Sequence, residues 1–212
     1  MRSLTTKNVL EKKHFAKIEF QSEVLREVVG EANRKGCWLI YGREKQGKTS
    51  LALQLLRDII KTERVGYISA EEGLDDAFIL AMKRAGVKIT DKANWNEYLS
   101  IEDIVLKFRK HKSPDVIFID NLTIYNDELK KVNIKKALLD KLPNKLFIFL
   151  AHEERKEPYP ASARLASKLA KVIFHVSGLK ASVTSRFSQG GEIEIDEKKC
   201  EVIWGGSTNK IN

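Results

Sequence analysis

Two rhythms of apolar residues alternate along the chain. Cys37-Trp38-Leu39-Ile40-Tyr41, residues 65–70, Val116-Ile117-Phe118-Ile119 and residues 146–151 are short apolar runs. Runs of this length, bounded by glycine or polar residues, predict buried strands. Between them the spacing is helical. Val24, Leu25, Val28, Val29 and Ala32 share one face, ended by Gly36. Leu51, Leu55 and Ile59 stripe a helix that ends near Glu63. Residues 75–85 predict a helix closed by Gly86, and 101–110 predict another with Ile104, Val105 and Phe108 inward. Residues 129–142 predict a helix stopped by Pro143. Strand and helix in alternation predict a parallel sheet with right-handed crossovers.

The last fifth changes character. Residues 172–176, 181–186, 192–196 and 200–204 predict short strands, with a hairpin turn at 196–199. The expected fold is therefore α/β: a mostly parallel central sheet flanked by helices, with a C-terminal antiparallel β extension. Residues 1–36 are expected to form an N-terminal arm and helix, 37–206 the core and 207–212 a tail. The first twenty residues read as an arm that packs on a neighbour.

Composition narrows the class. Of 212 residues, 42% are hydrophobic and 32% charged, which suits a folded soluble chain and argues against disorder. Cys37 and Cys200 lie far apart, so neither a zinc framework nor a disulfide framework is expected, and a reducing compartment fits. No apolar run is long enough to span a membrane, and the basic N-terminus lacks the apolar core of a secretory signal. A cytoplasmic location is expected. The net charge of +9 attracts polyanions, although a lysine-rich surface also serves solubility alone.

Gly42-Arg43-Glu44-Lys45-Gln46-Gly47-Lys48-Thr49 fits G-x-x-x-x-G-K-[ST], with Ser50 next. Gly42 and Gly47 let the backbone turn tightly around phosphates with its N–H groups inward. The helix that follows offers its positive N-terminus to the same anion. Lys48 reaches the β- and γ-phosphates of ATP, and the Thr49 hydroxyl ligates Mg²⁺. The apolar run ending in Asp120 reads as a neighbouring parallel strand whose carboxylate holds the metal. Hydrolysis also needs a group that orients the attacking water. Glu71 and Glu72 end the second strand, and their spacing does not choose between that role and complementing a helix dipole.

The order of phosphate loop, Ala70-Glu71-Glu72-Gly73-Leu74-Asp75, Val116-Ile117-Phe118-Ile119-Asp120-Asn121 and Phe147-Ile148-Phe149-Leu150-Ala151-His152 resembles the RecA-like ATPases. The likeness is to the RadA/DnaB-type core and covers about residues 37–206. It implies Glu71 as the residue that activates water, with Glu72 as the fallback. It implies His152 as the γ-phosphate sensor. Thr184-Ser185-Arg186-Phe187-Ser188 resembles a Lys-x-Arg-Phe-Gly segment that reaches a neighbouring subunit's γ-phosphate. Arg186 matches, while Thr184 and Ser188 depart, so one cation stands where two are usual; Lys180 is a candidate substitute.

The resemblance further implies a homo-oligomer, a hexamer-type ring or a filament, with DNA-facing loops at about 121–131 and 153–171. The second contains Arg155, Lys156, Arg164, Lys168 and Lys171, with Tyr159 placed to stack on a base. A flexible cationic loop there would meet single- or double-stranded DNA without base readout, although Asp127, Glu128, Glu153, Glu154 and Glu157 dilute the charge of the two loops. The expected activity is Mg-ATP hydrolysis in DNA recombination, repair or replication, and minimal cores of this kind occur in phages. A nucleotide-switched loader acting through protein partners is the alternative. A small-molecule kinase, with 155–164 as an arginine-bearing lid, is the third reading.

Overall fold

The computed structural model describes residues 5–11, 16–196, 199 and 203. Among these a single sheet of nine strands carries the architecture. In chain order the elements are α1 (Thr6–Leu10), α2 (Glu23–Val29), β1 (Gly36–Gly42), α3 (Lys48–Ile59), β2 (Val65–Ser69), α4 (Asp76–Arg84), β3 (Ala93–Asn96) and α5 (Ile101–Phe108). Then come β4 (Val116–Asp120), α6 (Asn126–Lys131), β5 (Leu146–Glu154), β6 (Glu157–Tyr159), α7 (Ala161–Leu169), β7 (Val172–Ser177), β8 (Lys180–Ser185) and β9 (Gly191–Glu194). The strand order is β3-β2-β4-β5-β1-β7-β8-β9, with β6 paired to β5. β3 through β7 in that order are parallel; β6, β8 and β9 are antiparallel. This is the expected α/β sheet with its antiparallel C-terminal extension.

Both faces of the sheet are apolar, because crossover helices bury both. One face packs Trp38, Ile40, Tyr67 and Phe118 against α2, α3 and α4. The other packs Leu39, Ile68, Ile117 and Phe149 against α5, α6 and α7. Side-chain caps start several helices: Ser22 accepts from Leu25 N, Asp75 from Phe78 N and Ser100 from Asp103 N.

Several expectations need correction. The first helix ends at Val29 with Gly30 beyond it, and Gly36 opens β1 instead of closing a helix. Ile18 and Phe20 are buried, and Phe20 packs on Trp38, so this part of the N-terminal segment packs on its own chain. The helix expected over 129–142 is two pieces. α6 ends at Val132, whose backbone is extended, and a one-turn π-helix spans Lys135–Leu139. β-branched Val132 and Asn133 favour the break, and the Asn133 side chain accepts from Lys136 N as the chain re-coils. The apolar pattern does not predict β3: it is a four-residue strand at the sheet's edge, with Trp95 packing on Tyr67 and Phe78. β5 lies between β1 and β4, so Asp120 stands two strands from the phosphate loop and not on the adjacent one. The expected turn at 196–199 and strand at 200–204 fall largely outside the described residues.

Candidate functional site

The chain from Gly42 to Lys48 is held from two sides at the C-terminal end of β1. A Cβ on Gly42 would lie 2.1 Å from the Val176 carbonyl oxygen. Close approach of β7 therefore demands this glycine. Gly47 differs: its φ is +104°, and a Cβ there would also meet Leu179 Cδ2 at 2.9 Å. The tip between β7 and β8 grips the loop, since Leu179 N donates to Gln46 O (3.2 Å) and Gly178 N to Gln46 Oε1 (2.6 Å). Lys45 adopts a φ of 59°. No side chain caps α3 at Gly47, so its first amides face the loop as a cradle for an anion.

Lys48 is buried and its Nζ donates to Arg43 O at 2.8 Å. Burial lowers its ammonium pKa, opposed by Asp120 and Glu71. Arg43 itself is exposed and turns toward Glu153 at 3.7 Å. Gln46 is spent on the β7–β8 tip, while Glu44, Lys45 and Ser50 line the cleft above Lys48.

Asp120 is buried, and its Oδ2 accepts from Tyr67 OH at 2.6 Å and from Thr49 Oγ1 at 3.2 Å. Burial pushes the carboxyl up to about 6, with the Tyr67 bond opposing and Glu72 adding to the rise. A hydroxyl and a carboxylate meeting beside an ammonium form a hard-oxygen set that fits Mg²⁺ on a phosphate.

Glu71 and Glu72 both border the same cleft of about 410 Å³. Backbone bonds from Ala70 N and Glu71 N to Asp120 O tie the ends of β2 and β4 together. Glu71 accepts from Asn121 Nδ2 and lies 3.3 Å from His152 Nε2, which is itself 3.0 Å from Asn121 Nδ2. The His152 nitrogen serves one partner at a time: protonated, it donates to Glu71; unprotonated, it accepts from Asn121. The His152 bond holds the Glu71 carboxyl below its ordinary value, whereas burial and the neighbouring Glu71 and Asp75 raise that of Glu72. Asn121 and Tyr67 belong to the site although the sequence reading singled out neither. Asn121 directly follows Asp120 in the sequence, but Tyr67 reads as one more buried aromatic.

Arg186 is not brought to this cleft. β8 runs antiparallel to β7 and its last residue, Ser185, pairs with Val172 at the start of β7. Arg186 is thus at the opposite edge of the sheet, about 17 Å away by strand length. Lys180 lies next to the loop-gripping tip and pairs with Glu192 at 3.4 Å.

The segment 153–171 is not a flexible loop. Glu154 and Glu157 pair across a two-residue turn at Arg155 and Lys156, both at positive φ (53° and 66°). α7 follows, built from good helix formers. Its charge is divided: Glu153, Glu154 and Glu157 accompany Arg155 and Lys156 at one end, while Lys168 and Lys171 fall at the other. The kinase-lid stretch 155–164 is this hairpin and the first turn of α7. Segment 121–131 contains α6 and carries Asp127 and Glu128 against Lys130 and Lys131. No described helix is long and apolar enough to cross a membrane.

No protein-family model and no curated protein matches the chain. Solved structures do. The flagellar accessory protein FlaH from Methanocaldococcus jannaschii superposes with a TM-score of 0.61 at 16% identity, covering 84% of this chain and 91% of that one. The ATPase domain of another protein superposes with a TM-score of 0.60 at 14% identity, covering 87% and 88%. At these identities the likeness is one of fold.

Proposed function

From the RecA-like P-loop NTPase fold that this chain has, we propose that it binds and hydrolyses Mg-ATP, at subunit interfaces of a homo-oligomer that works on DNA in recombination, repair or replication. The observation that supports this most directly is convergence: Lys48, Thr49, Asp120 and Glu71 border one cleft at the C-terminal ends of three strands. The loop amides at the start of α3 hold the β-phosphate. Lys48 exchanges the Arg43 carbonyl for the terminal phosphates. Thr49 and Asp120 hold the metal, which supplies neutralisation of phosphate charge when bound. Glu71, ionised at neutral pH, orients the attacking water and takes its proton. His152 and Asn121 position that carboxylate, and His152 senses the γ-phosphate. Arg186, remote from its own cleft, serves the cleft of a neighbouring copy.

The test is phosphate release with and without single-stranded DNA, with sizing in ATP and ADP. Glu71→Gln is expected to bind ATP while turnover falls by about 10²–10⁴-fold. Lys48→Ala is expected to lose binding. An unaltered rate in either variant sinks the ATPase reading, and a rate indifferent to DNA sinks the DNA reading alone. A nucleotide-switched assembly factor is the second reading, favoured by Thr184 standing where a second cation is usual. It predicts that Glu71→Gln locks one oligomeric state in ATP.

A further inference from the structure

Five of the six parallel strands are entered through a basic residue. Lys92 precedes β3, Arg64 precedes β2, Lys145 precedes β5, Lys35 precedes β1 and Lys171 precedes β7, each by one position. β4 is entered through Asp115. The strand register aligns these positions: Val65 pairs with Ala93 and with Val116, Val116 with Leu146, and Leu146 with Gly36. Lys92, Arg64, Asp115, Lys145 and Lys35 therefore form one row across the sheet edge. Lys171 joins it two residues further along, because Val172 pairs with Trp38.

The row has one carboxylate, already shared. Asp115 accepts from Arg64 Nη2 at 2.7 Å and from Lys145 Nζ at 3.3 Å. Burial and then the nearby Lys35 and Arg186 lower the Lys171 ammonium pKa, so these cations crowd one another. Lys110, Lys112 and Lys168 extend the same edge outward; they are exposed and make no ion pair among the described residues. The opposite edge mixes both signs, with Arg43, Lys45 and Lys48 after β1 facing a group of carboxylates. Glu71, Glu72, Asp75 and Asp76 follow β2, and the β5–β6 hairpin carries three glutamates against two cations. Within the row that enters the parallel strands, five cations thus stand against the single carboxylate of Asp115.

We propose that this basic edge, and not the hairpin at Arg155 and Lys156, is where the protein takes a nucleic-acid backbone. The proposal rests on the DNA reading above and assigns its surface. Six strands spaced about 4.8 Å apart make a row of about 24 Å. A duplex presents a negative charge every ~1.7 Å of its axis, so a linear polyanion matches the row along its whole length. The opposite edge of a second copy is the weaker match: Glu71 is engaged with Asn121 and His152, and Glu153 with His175. Contacts of this kind fix position on phosphates and carry no base sequence. Lys92, Lys110 and Lys112 lie on the half of the edge remote from Arg186, so a neighbour seated at Arg186 leaves them open.

The test is fluorescence anisotropy with labelled 20-mer duplex and single strand from 50 to 200 mM salt. Full-length protein is compared with Lys92→Gln/Lys110→Gln/Lys112→Gln and with Arg155→Gln/Lys156→Gln. The edge variant is expected to bind duplex at least tenfold more weakly at 100 mM salt, and its log–log salt slope to flatten by about 2.7, some 0.9 for each lost phosphate contact. The hairpin variant is expected to bind as the parent does, and basal ATP turnover of the edge variant to stay unchanged. Should the triple variant fold poorly by circular dichroism, Lys92→Gln and Lys112→Gln singly are each expected to flatten the slope by about 0.9. Loss of binding in the hairpin variant alone overturns the proposal. So does an edge variant that changes only oligomer size, or phosphatidylserine vesicles bound where neither nucleic acid is. ATP turnover without any nucleic-acid binding overturns the proposal and leaves the ATPase reading intact. Edge-dependent binding without turnover does the reverse.

Discussion

Tyr67 illustrates how one hydroxyl sets the chemistry of a neighbour. Its bond to Asp120 opposes the burial that pushes that carboxyl up to about 6. Mg²⁺ requires the ionised form, so metal-dependent turnover is expected to fall as pH drops through about 6. Tyr67→Phe removes the opposing bond and raises the carboxyl pKa further. The acid limb of a Mg²⁺ titration is then expected to move to higher pH by about one unit, the scale of a charged hydrogen bond of about 1.5 kcal/mol, with apparent Mg²⁺ affinity weakened roughly tenfold at pH 5 and only about twofold at pH 7. An unmoved limb would show that the hydroxyl is a packing group only. The phosphate loop was legible because all of its groups are contiguous in the chain. Tyr67, Asn121 and His152 were legible only in part, because they meet from the ends of three strands, and sequence distance hides such meetings. Gly42 was assigned for the wrong reason: the loop's curvature was expected to need it, and β7's backbone does.

At the scale of elements, strands buried on both faces announced themselves as continuous apolar runs. β3 did not, since an edge strand with one inward aromatic has no run to read. The β5–β6 hairpin was also missed. Arg155 and Lys156 occupy left-handed positions that normally call for Gly or Asn, so no turn signal marks them. The bases of β2, β4 and β5 are joined through Asp115. Burial alone would raise its carboxyl pKa, but Arg64 and Lys145 outweigh burial and hold it below its ordinary value. A depressed folded-state pKa stabilises above the unfolded value, about 3.9, and that stability is lost as pH falls through the folded value. Melting temperature measured from pH 6 to pH 2 is therefore expected to drop less steeply in Asp115→Asn than in the parent at the acid end, from a lower starting point. Equal slopes would remove Asp115 from the acid response. Cys37 offers a separate probe. Burial pushes its thiol up to about 12, so alkylation mapped by mass spectrometry at pH 8 is expected to spare Cys37 until the sheet unfolds.

For the whole molecule, a nucleotide that binds only the folded form adds stability by mass action. At a hundred times its Kd, Mg-ATP is expected to contribute about 2.7 kcal/mol. That is roughly 5–10 °C in melting temperature for a chain of this size. Calorimetry of Lys48→Ala should show no such rise; a shift equal to the parent's would place the nucleotide elsewhere.

The grip of Gly178 and Leu179 on Gln46 has a mechanical consequence. Two amides from the β7–β8 tip hold the middle of the anion cradle, and the Leu179 carbonyl bridges it onward, through Ile195 N, to the chain beyond β9. The cradle cannot widen around a phosphate without pulling that tip, and the tip leads straight into the strand that ends beside Arg186. Deuterium uptake at 43–47 and at 178–180 is expected to change in step on adding Mg-ATP, and cutting the Gln46 side-chain link with Gln46→Ala to let the two segments respond separately.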